Sequence, residues 1–214
     1  MLMSKVMKIL PVFLRTVASF KNDRRGLAAV ELAMILPVML LLFFGTVEFS
    51  SGVAVDRKVT LMARTLSDLA SQSQTVADTD LVNYFSASVG IMTPYDPSPT
   101  KAQLTEVYVD ATKIAKVKWT KAATIAAGAT QATLSTSTRT NGQDVTSVIP
   151  SALLIPNTFL IFSEVSYIYT PAVGYVMGKD GINLSDVAYT RPRQSQCVIY
   201  PTPAAGTVTS CPTT

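Results

Sequence analysis

The sequence predicts an α+β protein: one long N-terminal helix, membrane-spanning at first and amphipathic after, packed on a small, mainly antiparallel β-sheet. Three observations carry that expectation. Residues 27–47 form an apolar run interrupted by a single charge, Glu31. Val55, Val59, Met62, Leu66 and Leu69 then recur at spacings of 4, 3, 4 and 3, the period of a helix face. From Gln103 onward the pattern changes to alternation rich in Val, Ile, Tyr and Trp, the period of strands.

The apolar run comes first because it sets where everything else lies. As a helix its residues rise about 31 Å, close to the roughly 30 Å hydrocarbon core of a bilayer. Pro37 removes one helical hydrogen bond and crowds the carbonyl of Ala33, so a kink is expected there; Gly45 is a second weak point. The run exceeds the length of an ordinary secretory h-region, and Gly52-Val53-Ala54 is a poor cleavage site after it.

Charge is distributed unevenly. The chain of 214 residues has 18 basic and 14 acidic side chains, a net +4. Residues 1–26 hold Lys5, Lys8, Arg15, Lys21, Arg24 and Arg25 against Asp23 alone, so the rest of the chain is nearly neutral. No nucleic-acid surface is expected. Basic residues just before a membrane helix hold that end in the cytoplasm. The expected organisation is a basic cytoplasmic leader at 1–26, a transmembrane helix at 27–48, an amphipathic extension at 49–74 and an outer α+β domain at 75–214. The outer part is long enough to bury its own core.

The leader, with Pro11, reads as an unstructured segment lying on anionic lipid. The extension is expected to continue the membrane helix to about Ser73, its stripe packing on the outer domain, on another helix in an assembly, or on both. After a polar break at 73–80, a short helix is expected from Thr79 or Asp80 to about Ile91, with Asp78 or Thr79 as N-cap. Thr93–Pro99 is a stiff loop. Gln103–Asp110 and Lys113–Thr120 suggest a hairpin turning at Ala111-Thr112. Residues 121–144, rich in Ala, Thr and Ser, read as a long excursion, with a helix over part of 121–134 as the alternative. Asn141-Gly142 marks a turn. Asn157–Tyr169 reads as a strand central in the sheet, Pro171–Gly178 as a loop and Asn183–Thr190 as a further strand. Cys197 and Cys211, 14 apart, would tend to oxidise outside the cytoplasm, closing a loop worth about 3 kcal/mol.

Several chemistries are excluded or unsupported. The sequence has no histidine, which rules out His-based acid–base catalysis and His-ligated metals. Two cysteines are too few for a Cys-rich zinc site. There is no phosphate loop, dinucleotide fingerprint or nucleophile elbow. No enzyme activity, cofactor, catalytic residue or metal site is expected.

Glu31 needs a reason to sit in an apolar run. A carboxylate at mid-bilayer costs about 2.5–3.5 kcal/mol and less near an end. It either snorkels to the inner interface or meets a charge partner. Cutting the chain after Gly26 would give Leu27 a free amine, with Glu31 the fifth residue and one helical turn away.

At this point the sequence resembles a family. Gly26-Leu27-Ala28-Ala29-Val30-Glu31 is similar to the processing site of type IV-like prepilins. The longer string RRGLAAVELAMILPVMLLLFFGTVEFSSG resembles the TadE-like minor pilins (pseudopilins) of tight-adherence, or Flp, pilus systems. The matching features are the basic-Gly start, AVEL, Pro37, the Gly45 and Glu48 pair, and the amphipathic continuation; Ser185 to Arg193 resembles a closing strand of such proteins. Leu32 stands where Flp-type sites often carry tyrosine. The resemblance implies cleavage between Gly26 and Leu27 by a membrane-embedded prepilin peptidase. It implies retention in the bacterial inner membrane with a periplasmic, loosely pilin-like domain. The partners implied are inner-membrane lipid, the peptidase and other pilus subunits, with Glu31, Pro37 and Glu48 serving membrane and assembly roles. The rival readings are an uncleaved, signal-anchored protein binding an envelope component, and a secreted enzyme released by signal peptidase.

Overall fold

The computed structural model describes residues 25–171, 181–204 and 210–211. The leader through residue 24 and most of the expected Pro171–Gly178 loop lie outside the described residues. The chain divides into two compact units, Met1–Val47 and Glu48–Thr214.

The first unit is described from the start of helix α1, which runs Arg25–Ser71 and so extends into the second. The helix continues through Pro37. In its apolar part Thr46 Oγ1 donates to the Leu42 carbonyl at 2.7 Å, returning a hydroxyl to the backbone of its own helix.

The second unit is the α+β body. Its five-stranded antiparallel sheet comprises β1 (Thr100–Val109), β2 (Ala115–Thr124), β3 (Thr133–Ser135), β4 (Thr158–Tyr169) and β5 (Ile182–Thr190). The order is β3-β2-β1-β4-β5. β4, the most apolar strand in the sequence, pairs on both sides, with β1 and with β5. Strand alternation sends Ala102, Leu104, Ile161, Val165 and Tyr167 to one face, against Val55, Val59, Met62 and Leu66 of α1 and Leu81 and Phe85 of α2 (Asp78–Val89). It sends Val107, Val109, Val117, Leu160 and Phe162 to the other face, under Val145 and Ile149. The sheet is therefore packed on both sides, by helices on one and by a loop on the other.

Several local expectations need correction. Helix α1 ends at Ser71, short of Ser73, because the closing segment takes over its last carbonyls. Thr190 Oγ1 donates to Ser67 O at 3.0 Å and the Arg193 N–H to Ser71 O at 2.8 Å. Helix α2 starts earlier than expected, with Ala77 at the N-cap in place of Asp78 or Thr79, and a 3₁₀ turn, Gly90–Met92, follows it. An alanine has no side-chain acceptor; the work is done from inside, where the Asp80 carboxylate accepts the Ala77 N–H at 2.9 Å.

The hairpin turns over residues 110–114, not at a two-residue Ala111-Thr112 turn. The Asp110 carboxylate accepts from Thr112 N, Thr112 Oγ1 and Ile114 N at 2.8, 2.6 and 2.9 Å, and Lys113 adopts φ 67°. An aspartate that satisfies three donors favours the wider loop. Residues 121–144 contain the end of β2 and the short β3, and no helix; their Ala and Thr residues pair in register as Ala122↔Ser135 and Ala123↔Leu134. Asn141-Gly142 does turn, with Gly142 at φ 81° and its N–H on Val117 O at 2.7 Å. The segment that precedes this turn is tied to the sheet by an ion pair between Arg139 and Glu164, and by Gln103 Oε1, which accepts from Thr138 N at 2.9 Å.

Candidate functional site

The first candidate region is the apolar part of α1. From Leu27 to Phe44 every residue is exposed in the isolated chain, Leu27 itself at 62%. The best window of the helix has mean hydropathy 2.5 with none of it buried, so the helix is long and apolar enough to cross a membrane. Glu31 is exposed and sits four residues after Leu27, one turn along the same face. A Cβ added at Gly26 would meet nothing within 4 Å. The fold therefore has no steric need for glycine there, although glycine costs about 1 kcal/mol against alanine within a helix. Phe43 and Phe44 meet edge to face at 5.4 Å.

The second region is the stripe. Val55, Val59, Met62 and Leu66 are fully buried and Leu69 is half-buried, all in the second unit. The protein's own sheet occupies this face. Ala63, Ser67 and Ala70 are buried beside them and were invisible to a reading based on large apolar residues. Their small size lets strand and helix backbones approach: Ser163 Oγ of β4 reaches the Ala63 carbonyl at 2.5 Å. Glu48, where the second unit begins, is 3% exposed, and its carbonyl lies 3.5 Å from the Tyr169 hydroxyl.

A third arrangement includes the expected disulfide, but the sequence reading did not single out the carboxylate at its centre. Cys197 and Cys211 form a disulfide, and the segment around Cys197 crosses the sheet beside a buried carboxylate, Glu106. The Val198 N–H donates to Glu106 Oε1 at 2.6 Å. Trp119 Nε1–H lies 2.8 Å from Glu106 Oε2 and 2.7 Å from Val198 O, sharing one hydrogen between them. Ile199 then bridges to Thr75, with Val76 N on Ile199 O at 3.0 Å. The clasp closes at the surface where the Tyr200 hydroxyl donates to Asp78 at 2.7 Å and Lys121 pairs with the same carboxylate at 3.2 Å. Burial pushes the Glu106 carboxyl up to about 8, against the opposing pull of the Val198 and Trp119 donors and the Lys118 charge. Burial thus favours the protonated form of the group that holds the C-terminal segment.

Among the described residues no group of three or more acidic or cysteine side chains is placed to hold a metal. Pro37 lies within the exposed apolar stretch of the helix.

Comparison with known proteins agrees with the first two regions. The family model described as TadE-like protein matches residues 26–67. No curated protein and no solved structure matches the chain. The matched stretch covers the exposed apolar turns and nearly all of the buried stripe, and it stops before the strands begin. Over residues 26–67 the chain is thus similar to TadE-like proteins.

Proposed function

We propose that this protein is a minor pilin, or pseudopilin, that takes part in the assembly or initiation of a Flp/Tad-type adhesive pilus. The observation that carries the reading is the bare apolar helix that begins Gly26-Leu27 and exposes a lone carboxylate at Glu31, inside a TadE-like segment. A prepilin peptidase cuts after Gly26, and the freed Leu27 amine of one subunit pairs with the Glu31 carboxylate of its neighbour, setting their register. In hydrocarbon such a pair removes two unsolvated charges at once.

The helix anchors the protein in the bacterial inner membrane as a single span. The surplus of cations in residues 1–26 holds the N-terminus in the cytoplasm and puts the α+β domain in the periplasm, a compartment that keeps disulfides oxidised. The protein acts by binding lipid and other pilus subunits, and performs no catalysis of its own. The test is the N-terminal residue of the protein recovered from membranes, read by mass spectrometry of its terminal peptide. A start at Leu27 is expected. A start at Met1 would overturn the processing step and leave an uncleaved anchor.

A further inference from the structure

We infer that one corner of the α+β unit docks on the bilayer interface, with lipid headgroups and upper acyl chains as its occupant. The inference rests on the membrane-anchor reading above. Every residue of the corner lies in the unit that starts at Glu48.

The corner is a shallow groove of about 210 Å³ between α1 and β5. Phe49, Gly52, Val53 and Asp56 contribute from the helix, and Tyr169 and Ile182 from the ends of β4 and β5. Its apolar side chains are open to solvent: Phe49 is 62% exposed, Ile182 40% and Val53 37%. These are large apolar groups that the protein's own core leaves uncovered.

The order of residues along the helix identifies the occupant. Positions 49, 52, 53 and 56 share one helix face. Reading along it away from the apolar span, the face changes from Phe49 through Val53 to the exposed carboxylate of Asp56, followed by exposed Arg57. Asp56 lies about 10 Å beyond Phe49 along the axis. A partner helix lying along α1 would need the apolar face to continue past that point. A membrane surface needs it to stop there, apolar below and charged above. Phe49 is two residues past the apolar run in sequence, so a span that ends at Val47 brings Phe49 to the depth where a bilayer changes from hydrocarbon to headgroup. Tyr169 fits the same boundary, with an apolar ring lining the groove and a hydroxyl directed to the Glu48 carbonyl.

The test uses the full chain, disulfide intact, in vesicles of phosphatidylcholine and phosphatidylglycerol, with the phosphatidylcholine brominated at shallow or deep acyl positions to quench tryptophan. Three variants are compared with the parent, whose one tryptophan, Trp119, is 3% exposed and serves as background. Phe43→Trp reports the span, and Ile182→Trp and Phe49→Trp report the corner. The expected result is that both corner tryptophans lose most of their emission to shallow bromines and less to deep ones, while Phe43→Trp, about 6 Å inside the end of the span, shows a larger ratio of deep to shallow quenching than either. If Phe43→Trp is quenched and Ile182→Trp responds no more than the parent, the interface docking is overturned and the anchor reading stands. If Phe43→Trp is not quenched, the anchor reading falls and this inference falls with it. Ile182 and Phe49 are exposed, so the larger ring does not have to enter the core; agreement between the two variants guards against a local effect of either.

Discussion

The buried carboxyl of Glu106 makes the stability of the α+β unit depend on pH in an unusual direction. Its pKa in the fold is about 8, against 4.5 for the free side chain. The folded protein therefore keeps a proton that the unfolded chain has released across the range between those values. A raised pKa contributes stability that is fully present below the unfolded value and is lost as pH rises through the folded one. Fully expressed, the difference corresponds to a loss of roughly 5 kcal/mol between about pH 4.5 and pH 8. Opening of the C-terminal segment, which lets water reach the carboxylate, would reduce that figure.

The chain has no histidine, so few other groups titrate in this window and the slope is readable. Asp78, Asp96, Asp110 and Asp144 are held below their usual values by hydrogen bonds, and their contributions are lost only as pH falls through the acid range. The assay is urea unfolding of the oxidised full chain in detergent at a series of pH values, beside Glu106→Gln. Glutamine retains an acceptor for the Val198 N–H. Its amide NH₂, however, would face the Trp119 N–H, donor against donor, at a cost of about 1–3 kcal/mol. The variant is thus expected to be less stable at acid pH yet to lose less stability as pH rises, so that the two curves converge or cross. If wild type and Glu106→Gln show parallel pH profiles from acid to mildly alkaline conditions, Glu106 does not hold a proton in the fold and the reasoning fails.

Two further outcomes test other parts of the molecule. Glu31→Gln is expected to leave membrane insertion unchanged and to reduce pilus formation, checked by membrane fractionation beside a count of assembled pili; normal piliation would remove the register role. Cys197→Ser should lower stability by about 3 kcal/mol through the opened 14-residue loop, and reduction of the parent protein should lower its thermal midpoint similarly, with no change in midpoint refuting the contribution.

The parts of this fold that were legible in the sequence are those in which one physical signal dominates locally. The apolar length of residues 27–47 and the helical spacing from Val55 to Leu66 each fix an element without reference to the rest of the chain. β4 is likewise apolar enough to require neighbours on both sides. Where the signal was weak, the outcome was decided by partners distant in sequence. The Ala- and Thr-rich stretch after Lys121 could not choose between helix and coil alone; it forms β3 because the end of β2 offers a paired edge.

Glu106 is the extreme case. In a strand that alternates, it occupies an inward position, which local pattern reads as a fault or as an outward slip. The position is tenable because three separations in sequence close on it together: Trp119 across the hairpin, Val198 some ninety residues on, and the disulfide that ties Cys197 to the tail. A charge-bearing side chain at an inward strand position, with one tryptophan in the neighbouring strand and a late cysteine pair, is the only trace such a clasp leaves in sequence.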